Sequence, residues 1–238
     1  MPDLNEPFFF RQKPTPDRPL QGQTVLIVED SRYASEALRL LCLKSGARVR
    51  RADSLASATR HLASYRPSVA IVDMGLPDGS GADLISEIAA TDPPIPVILA
   101  ISGDDTVQEE ALAAGAQGLL VKPLSKLASF QEAILSRLPP DMRPPGPRAV
   151  SETEVAPDTL AFQDDLTLVA EALDRGPAQD ELVYLAQFLG SVARTSGDAR
   201  LDAAADELAQ LASMKDPQGG IGRVSELVRD SLGVRAAI

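Results

Sequence analysis

Three carboxylates, a hydroxyl and a lysine each stand at the end of a short apolar run. Glu29 and Asp30 follow residues 25–28, Asp73 follows 69–72, Ser102 follows 98–101 and Lys122 follows 119–121. Each run is too short for a helix, and most are β-branched enough for buried strands. The turn after Asp73 is dense in breakers, with Pro77, Gly79 and Gly81. In open α/β sheets the C-terminal strand edge is where ligands bind, because strand ends and the following loops converge there. Three acids crowded at one edge repel one another, and a hard divalent cation with oxygen ligands relieves that repulsion; Mg²⁺ fits best. A nearby lysine supplies a point charge for a phosphoryl oxygen, and a serine hydroxyl donates to another. Together these parts make a phosphoryl-transfer site whose nucleophile is a carboxylate.

The elements that would position them alternate. Between residues 24 and 138 apolar strand-like runs are followed by stretches with a helical stripe. One such stripe is Ala34, Ala37, Leu38, Leu41 and Cys42, closed by Gly46; another is Leu84, Ile85 and Ile88. A weaker second strand is expected near Val49, and the fourth helix is expected to turn Val107, Ala111 and Leu112 inward. Five β/α units in this length predict a doubly wound five-stranded parallel sheet, an α/β fold with right-handed crossovers.

Four motifs, at 25–30, 71–81, 98–102 and 120–123, in this order and spacing resemble the receiver domain of bacterial two-component response regulators. The resemblance covers residues 23 to about 138 and implies the flavodoxin-like strand order 2-1-3-4-5. It implies that Asp73 accepts a phosphoryl group from a histidine kinase or a histidine phosphotransfer protein. Glu29, Asp30, Asp73 and the backbone carbonyl of Gly75 would then hold Mg²⁺, and Ser102 and Lys122 would contact the acyl phosphate. The family usually carries Tyr or Phe three residues before that lysine, whereas this chain has Leu119. Gly75, two residues after the acceptor, leaves room for an attacking water, and Asp104 is a candidate to orient it.

Prolines mark the boundaries. Of 19, five precede Gln23 and six lie between Leu138 and Asp158. The expected organisation is therefore a proline-rich tail at 1–22, the receiver at 23–138, an extended, unpacked linker at 139–157 and a helical domain at 158–238. Within the tail, Phe8, Phe9 and Phe10 are expected to dock on the chain's own surface or on a partner. Beyond the linker, four stripes of helical period are separated by short breaks and predict a four-helix bundle able to fold alone and to pair as a homodimer. The first runs through Phe162, Leu166, Val169 and Leu173, and the second through Leu182, Leu185, Ala186, Leu189 and Val192. This region faintly resembles histidine phosphotransfer domains, but Ala186 stands where the histidine would fall. The chain's single histidine, His61, lies in the sheet domain and reads as a solvated helix residue.

Charge narrows the function. The chain carries a net −11, and residues 159–238 hold 13 acids against 7 basic residues with no basic stripe, which argues against a nucleic-acid partner. One cysteine, no membrane-spanning run and no leader-like segment point to a cytoplasmic protein. The expected function is a phosphorelay response regulator, not an enzyme beyond its own Mg²⁺-dependent phosphorylation and dephosphorylation, that signals through protein–protein contacts of its helical domain. The alternatives are a phosphate sink that drains a kinase and, third, a transcription regulator.

Overall fold

A computed structural model describes residues 13–147, 150–214 and 218–235. Strands β1 (Thr24–Val28), β2 (Arg48–Ala52), β3 (Val69–Asp73), β4 (Val97–Ser102) and β5 (Leu119–Val121) form one parallel sheet in the order β2-β1-β3-β4-β5. In register, Val25 faces Val69 on the neighbouring strand and Asp73 faces Ile101, so the C-terminal ends of the three central strands finish level. Helices α1 (Arg32–Lys44), α2 (Leu55–Ser64), α3 (Gly81–Ala89), α4 (Gln108–Ala113) and α5 (Leu127–Leu135) cover the two faces. Two apolar cores result. One lies under α1 and α5 around Ile27, Ile71 and Phe130, the other under α2 to α4 around Val72, Ile85 and Ile98. Each strand alternates its side chains between these layers, which is why β3 reads as an unbroken apolar run: both faces are buried.

The fourth helix departs from its expected packing. Ala111 is buried as read, but Leu112 is 45% exposed. A 3-10 turn at Asp105–Val107 leads into only six α-helical residues, and so short a helix buries a single narrow line.

The two proline-rich segments are more closely attached than their composition suggests. In the tail, Leu20 is fully buried in the receiver core, and its N–H donates to the Ser45 carbonyl over 2.8 Å. Phe8, Phe9 and Phe10 lie outside the described residues. The linker opens with a 3-10 turn at Pro140–Met142 and is packed at its far end: Val155 is buried against the sheet domain, and residues 153–155 pair with the chain just before α5. The cause is an uncapped helix start. Lys126 offers no side-chain cap to α5, so the Thr153 carbonyl accepts from Leu127 N–H at 3.0 Å, and Val155 N–H donates to the Ser125 carbonyl.

Helices α6 (Thr159–Asp174), α7 (Gln179–Ser196), α8 (Ala199–Ala212) and α9 (Gln218–Arg235) form a helical bundle. Its core contains the expected stripes: Phe162, Leu166 and Val169 from α6 meet Leu185, Leu189 and Val192 from α7, Leu201 and Leu208 from α8, and Val224 and Val228 from α9. Gly197, in the left-handed conformation at φ 69°, closes α7 and turns the chain into α8. The bundle does not stand apart from the sheet domain. Helices α6 and α7 lie against α1, and α7 also reaches the turn that follows β3. No described helix is long and apolar enough to cross a membrane.

Candidate functional site

The level strand ends bring the acids together. One carboxylate oxygen from each of Glu29, Asp30 and Asp73 lies within 4.8 Å of the others. The turn after β3 folds tightly because Gly81 carries no side chain: a Cβ there would come within 1.9 Å of the Asp73 carbonyl oxygen. Gly75 N–H donates to Asp73 Oδ1 at 3.3 Å, which keeps the residue after next beside the carboxylate.

Lys122, only 4% exposed, enters from the end of β5. Its Nζ lies 2.7 Å from Glu29 Oε2 and 2.7 Å from Asp73 Oδ2. Burial alone would lower its pKa, but the charges of Asp73 and Glu29 outweigh that and hold the ammonium firmly protonated. Burial raises Glu29 well above the usual carboxylate range, reinforced by the Asp73 charge and opposed by Lys122. Asp30 is raised to about 6, first by burial and then by Asp73, against a hydrogen bond from Tyr184. Two acids with raised pKa values beside a third form a donor set short of positive charge. All its ligand atoms are hard carboxylate oxygens, so the residues fit Mg²⁺. Ser102 ends β4 in the same cavity, where its Oγ accepts from Asp104 N–H at 3.0 Å. Every residue singled out by the sequence is therefore at this strand edge: Glu29, Asp30, Asp73, Gly75, Ser102 and Lys122.

The bundle completes the site, and this was not read from the sequence. Helix α7 presents Tyr184, Gln187, Ser191 and Arg194 toward the acids. Tyr184 OH donates to Asp30 Oδ2 at 2.7 Å, and burial followed by the Asp30 charge raises the phenol's pKa. Lys122 Nζ donates to Ser191 Oγ at 2.8 Å, so one ammonium joins Asp73, Glu29 and the bundle. Arg194 lies flat over Gly103, where a Cβ would come within 2.4 Å of its Nε. That Nε is buried and has no hydrogen-bond partner among the described residues. A cavity of about 490 Å³ remains between the two domains, bounded by Asp73, Gly75 and Ser102 on one side and Gln187, Ser191 and Arg194 on the other.

A second anchor lies beside it. Asp165 of α6, buried, caps the start of α1: its carboxylate accepts from Ser31 Oγ at 2.8 Å, Arg32 N–H at 2.9 Å and Tyr33 N–H at 3.0 Å. Burial raises the Asp165 pKa, and these three donors oppose the rise. Tyr33 packs edge-on against Phe162 at 5.4 Å between ring centres, adding apolar contact to the polar cap.

Comparisons with known proteins bear on the first of these domains. A family model described as the response regulator receiver domain matches residues 25–134. The KDP operon transcriptional regulatory protein KdpE of Escherichia coli is 31% identical over 163 residues, covering 68% of this chain and 66% of KdpE. The virulence transcriptional regulatory protein PhoP of Salmonella typhimurium is 30% identical over 116 residues, 48% of this chain and 52% of PhoP, so the chain spans only about half the length of that relative. Among solved structures, a two-component response regulator from Clostridium difficile aligns at 23% identity with a TM-score of 0.44, covering 48% of this chain and 97% of that one. The receiver domain of a Pseudomonas aeruginosa sensor histidine kinase, described with a magnesium ion in its active site cleft, aligns at 25% identity, 48% and 96% coverage and a TM-score of 0.44. Domains of this family take phosphoryl groups in two-component signalling and bind Mg²⁺ at an acidic pocket. Residues 25–134, with the strand-edge acids and lysine at their centre, thus match the response regulator receiver domain.

Proposed function

We propose that this protein is a phosphorelay response regulator in which Asp73 accepts a phosphoryl group from a phosphohistidine and the C-terminal bundle reads that event by direct contact. The single observation that carries the reading is the bond from Lys122 to Ser191, because the ammonium that pairs with Asp73 also holds α7. Mg²⁺ would sit on Glu29, Asp30 and Asp73, with the Gly75 carbonyl as a further ligand, and would neutralise charge on the incoming phosphoryl group. Ser102 and Lys122 would bind two of its oxygens.

Phosphorylation changes what α7 meets. An acyl phosphate adds negative charge and acceptor oxygens at the mouth of the cavity. The side chains that α7 sets there are Tyr184, Gln187, Phe188, Ser191 and Arg194, with no carboxylate among them. The added charge therefore attracts α7 rather than repelling it, and the bundle closes more tightly on the receiver. A phosphohistidine on another protein must approach Asp73 from the side that α7 covers, so transfer from a protein donor requires α7 to lift first. The bundle would act on a protein partner, through a surface that differs between the lifted and seated states.

The site assignment is tested with a small phosphodonor and Mg²⁺. Wild type takes up one phosphoryl group and Asp73→Asn takes up none, as read by intact mass; persistent labelling of the variant would remove Asp73 from its role.

A further inference from the structure

We infer that Gln187, on the bundle, is a catalytic residue for hydrolysis of the phosphoryl group on Asp73, an inference that rests on Asp73 being the acceptor. Hydrolysis of an acyl phosphate needs a water in line with the bond to be broken, held by an acceptor that points its lone pair at phosphorus. Asp104 is the sequence's candidate, but its Oδ1 accepts from Thr106 N–H at 2.9 Å and Thr106 Oγ1 at 2.7 Å, which ties the carboxylate to its own turn and leaves Oδ2 alone for a water. It is engaged as the cap of the turn before α4.

Gln187 has no such engagement with Thr106, and its position is specific. It lines the cavity that holds Asp73 and Ser102. Its Oε1 lies 3.6 Å from where a Cβ on Gly75 would be, and nothing else comes within 4 Å of that point. Gly75 N–H in turn is 3.3 Å from Asp73 Oδ1. The carboxamide thus borders the side-chain-free space beside Gly75, in the same cavity as the acceptor. Ser102 lines the receiver side of the cavity and Lys122 Nζ lies 2.7 Å from Asp73 Oδ2, where they would hold the phosphoryl oxygens. In the step, the water oxygen bonds to phosphorus as the bond from phosphorus to the Asp73 oxygen breaks. The electron pair returns to the Asp73 carboxylate, and the water's proton passes to an oxygen of the departing inorganic phosphate. Gln187 Oε1 accepts a hydrogen bond from the water and its amide donates to the phosphoryl group; it transfers no proton.

This makes the bundle a timer as well as a reader: the seated helix that senses the phosphoryl group also shortens its life. The test follows phosphoryl lifetime in the full chain after labelling with a small phosphodonor and Mg²⁺, with Asp73→Asn as the blank. Gln187→Leu, similar in size but without an amide, should lengthen the half-life on the order of tenfold to a hundredfold. Hydrogen exchange of α7 in the same samples separates a lost amide from a displaced helix. A longer lifetime with α7 equally protected supports the inference. An unchanged lifetime, or a longer one found only together with loss of α7 protection, overturns it. If wild type and the blank label alike, the acceptor assignment itself fails, an outcome separate from failure of Gln187 alone.

Discussion

Lys122 and Asp30 are the residues where the two domains share one electrostatic problem. Without a cation, three acids face one ammonium, and the excess negative charge shows in Asp30, raised from 3.8 to about 6 by burial and by Asp73. Metal binding requires the deprotonated form, so protons and Mg²⁺ compete. The sign follows directly: affinity for Mg²⁺ is full above about pH 7 and falls as pH drops through about 6. A folded-state pKa above the unfolded value also means that the metal-free fold holds more protons than the unfolded chain between those values. Its stability therefore decreases as pH rises from about 4 to about 6, and Mg²⁺ should restore it at neutral pH. Calorimetric Mg²⁺ titrations at pH 5.5 and 7.5 check the first statement, and Asp30→Asn should flatten the dependence. Equal affinity at both pH values would show that Asp30 does not hold the metal.

At the scale of elements, α6 and α7 each serve two neighbours. Asp165 adds to the local Ser31 cap of α1, and removing it leaves the N–H groups of Arg32 and Tyr33 without their partner. Asp165→Ala should cost about 1–3 kcal/mol at the domain contact. The expected readout is faster proteolysis within 139–157 while the sheet domain keeps its own melting transition; unchanged cleavage would remove Asp165 from the contact. The α/β order of the first domain was legible because four of its five strands are largely apolar and end at a chemical group; β2, with three arginines, is the exception. The bundle's inner stripes, such as Leu182, Leu185, Leu189 and Val192, were legible for the same reason of period. Its docking face was not. Tyr184, Phe188, Ser191 and Arg194 recur at helical spacing on α7, but polar and mixed side chains carry no hydrophobic period, so a second buried face looks like a solvated one. That spacing is a usable signal once a helix is known to have a neighbour on each side. The proline-rich linker misled differently: its composition predicts an unpacked, extended chain and says nothing of the open helix start at Leu127 that it satisfies.

On the scale of the whole molecule, the bundle is seated over the chemistry it would report. Most of the polar contact is concentrated in Tyr184 with Asp30, Ser191 with Lys122 and Asp165 with the start of α1, so under the proposed function the contact would sense charge at the strand edge directly. No relay through α4 and β5 is needed, which suits a chain with Leu119 in place of an aromatic there. The bundle's separate apolar core lets it move as a unit. The central claim is that α7 reads the phosphoryl state of Asp73 by contact. Hydrogen exchange along 184–194 tests it most directly, measured with Mg²⁺ alone and with Mg²⁺ plus a small phosphodonor. The account predicts slower exchange of these amides on phosphorylation and no change in Asp73→Asn; exchange that is faster, or the same in both proteins, would contradict it.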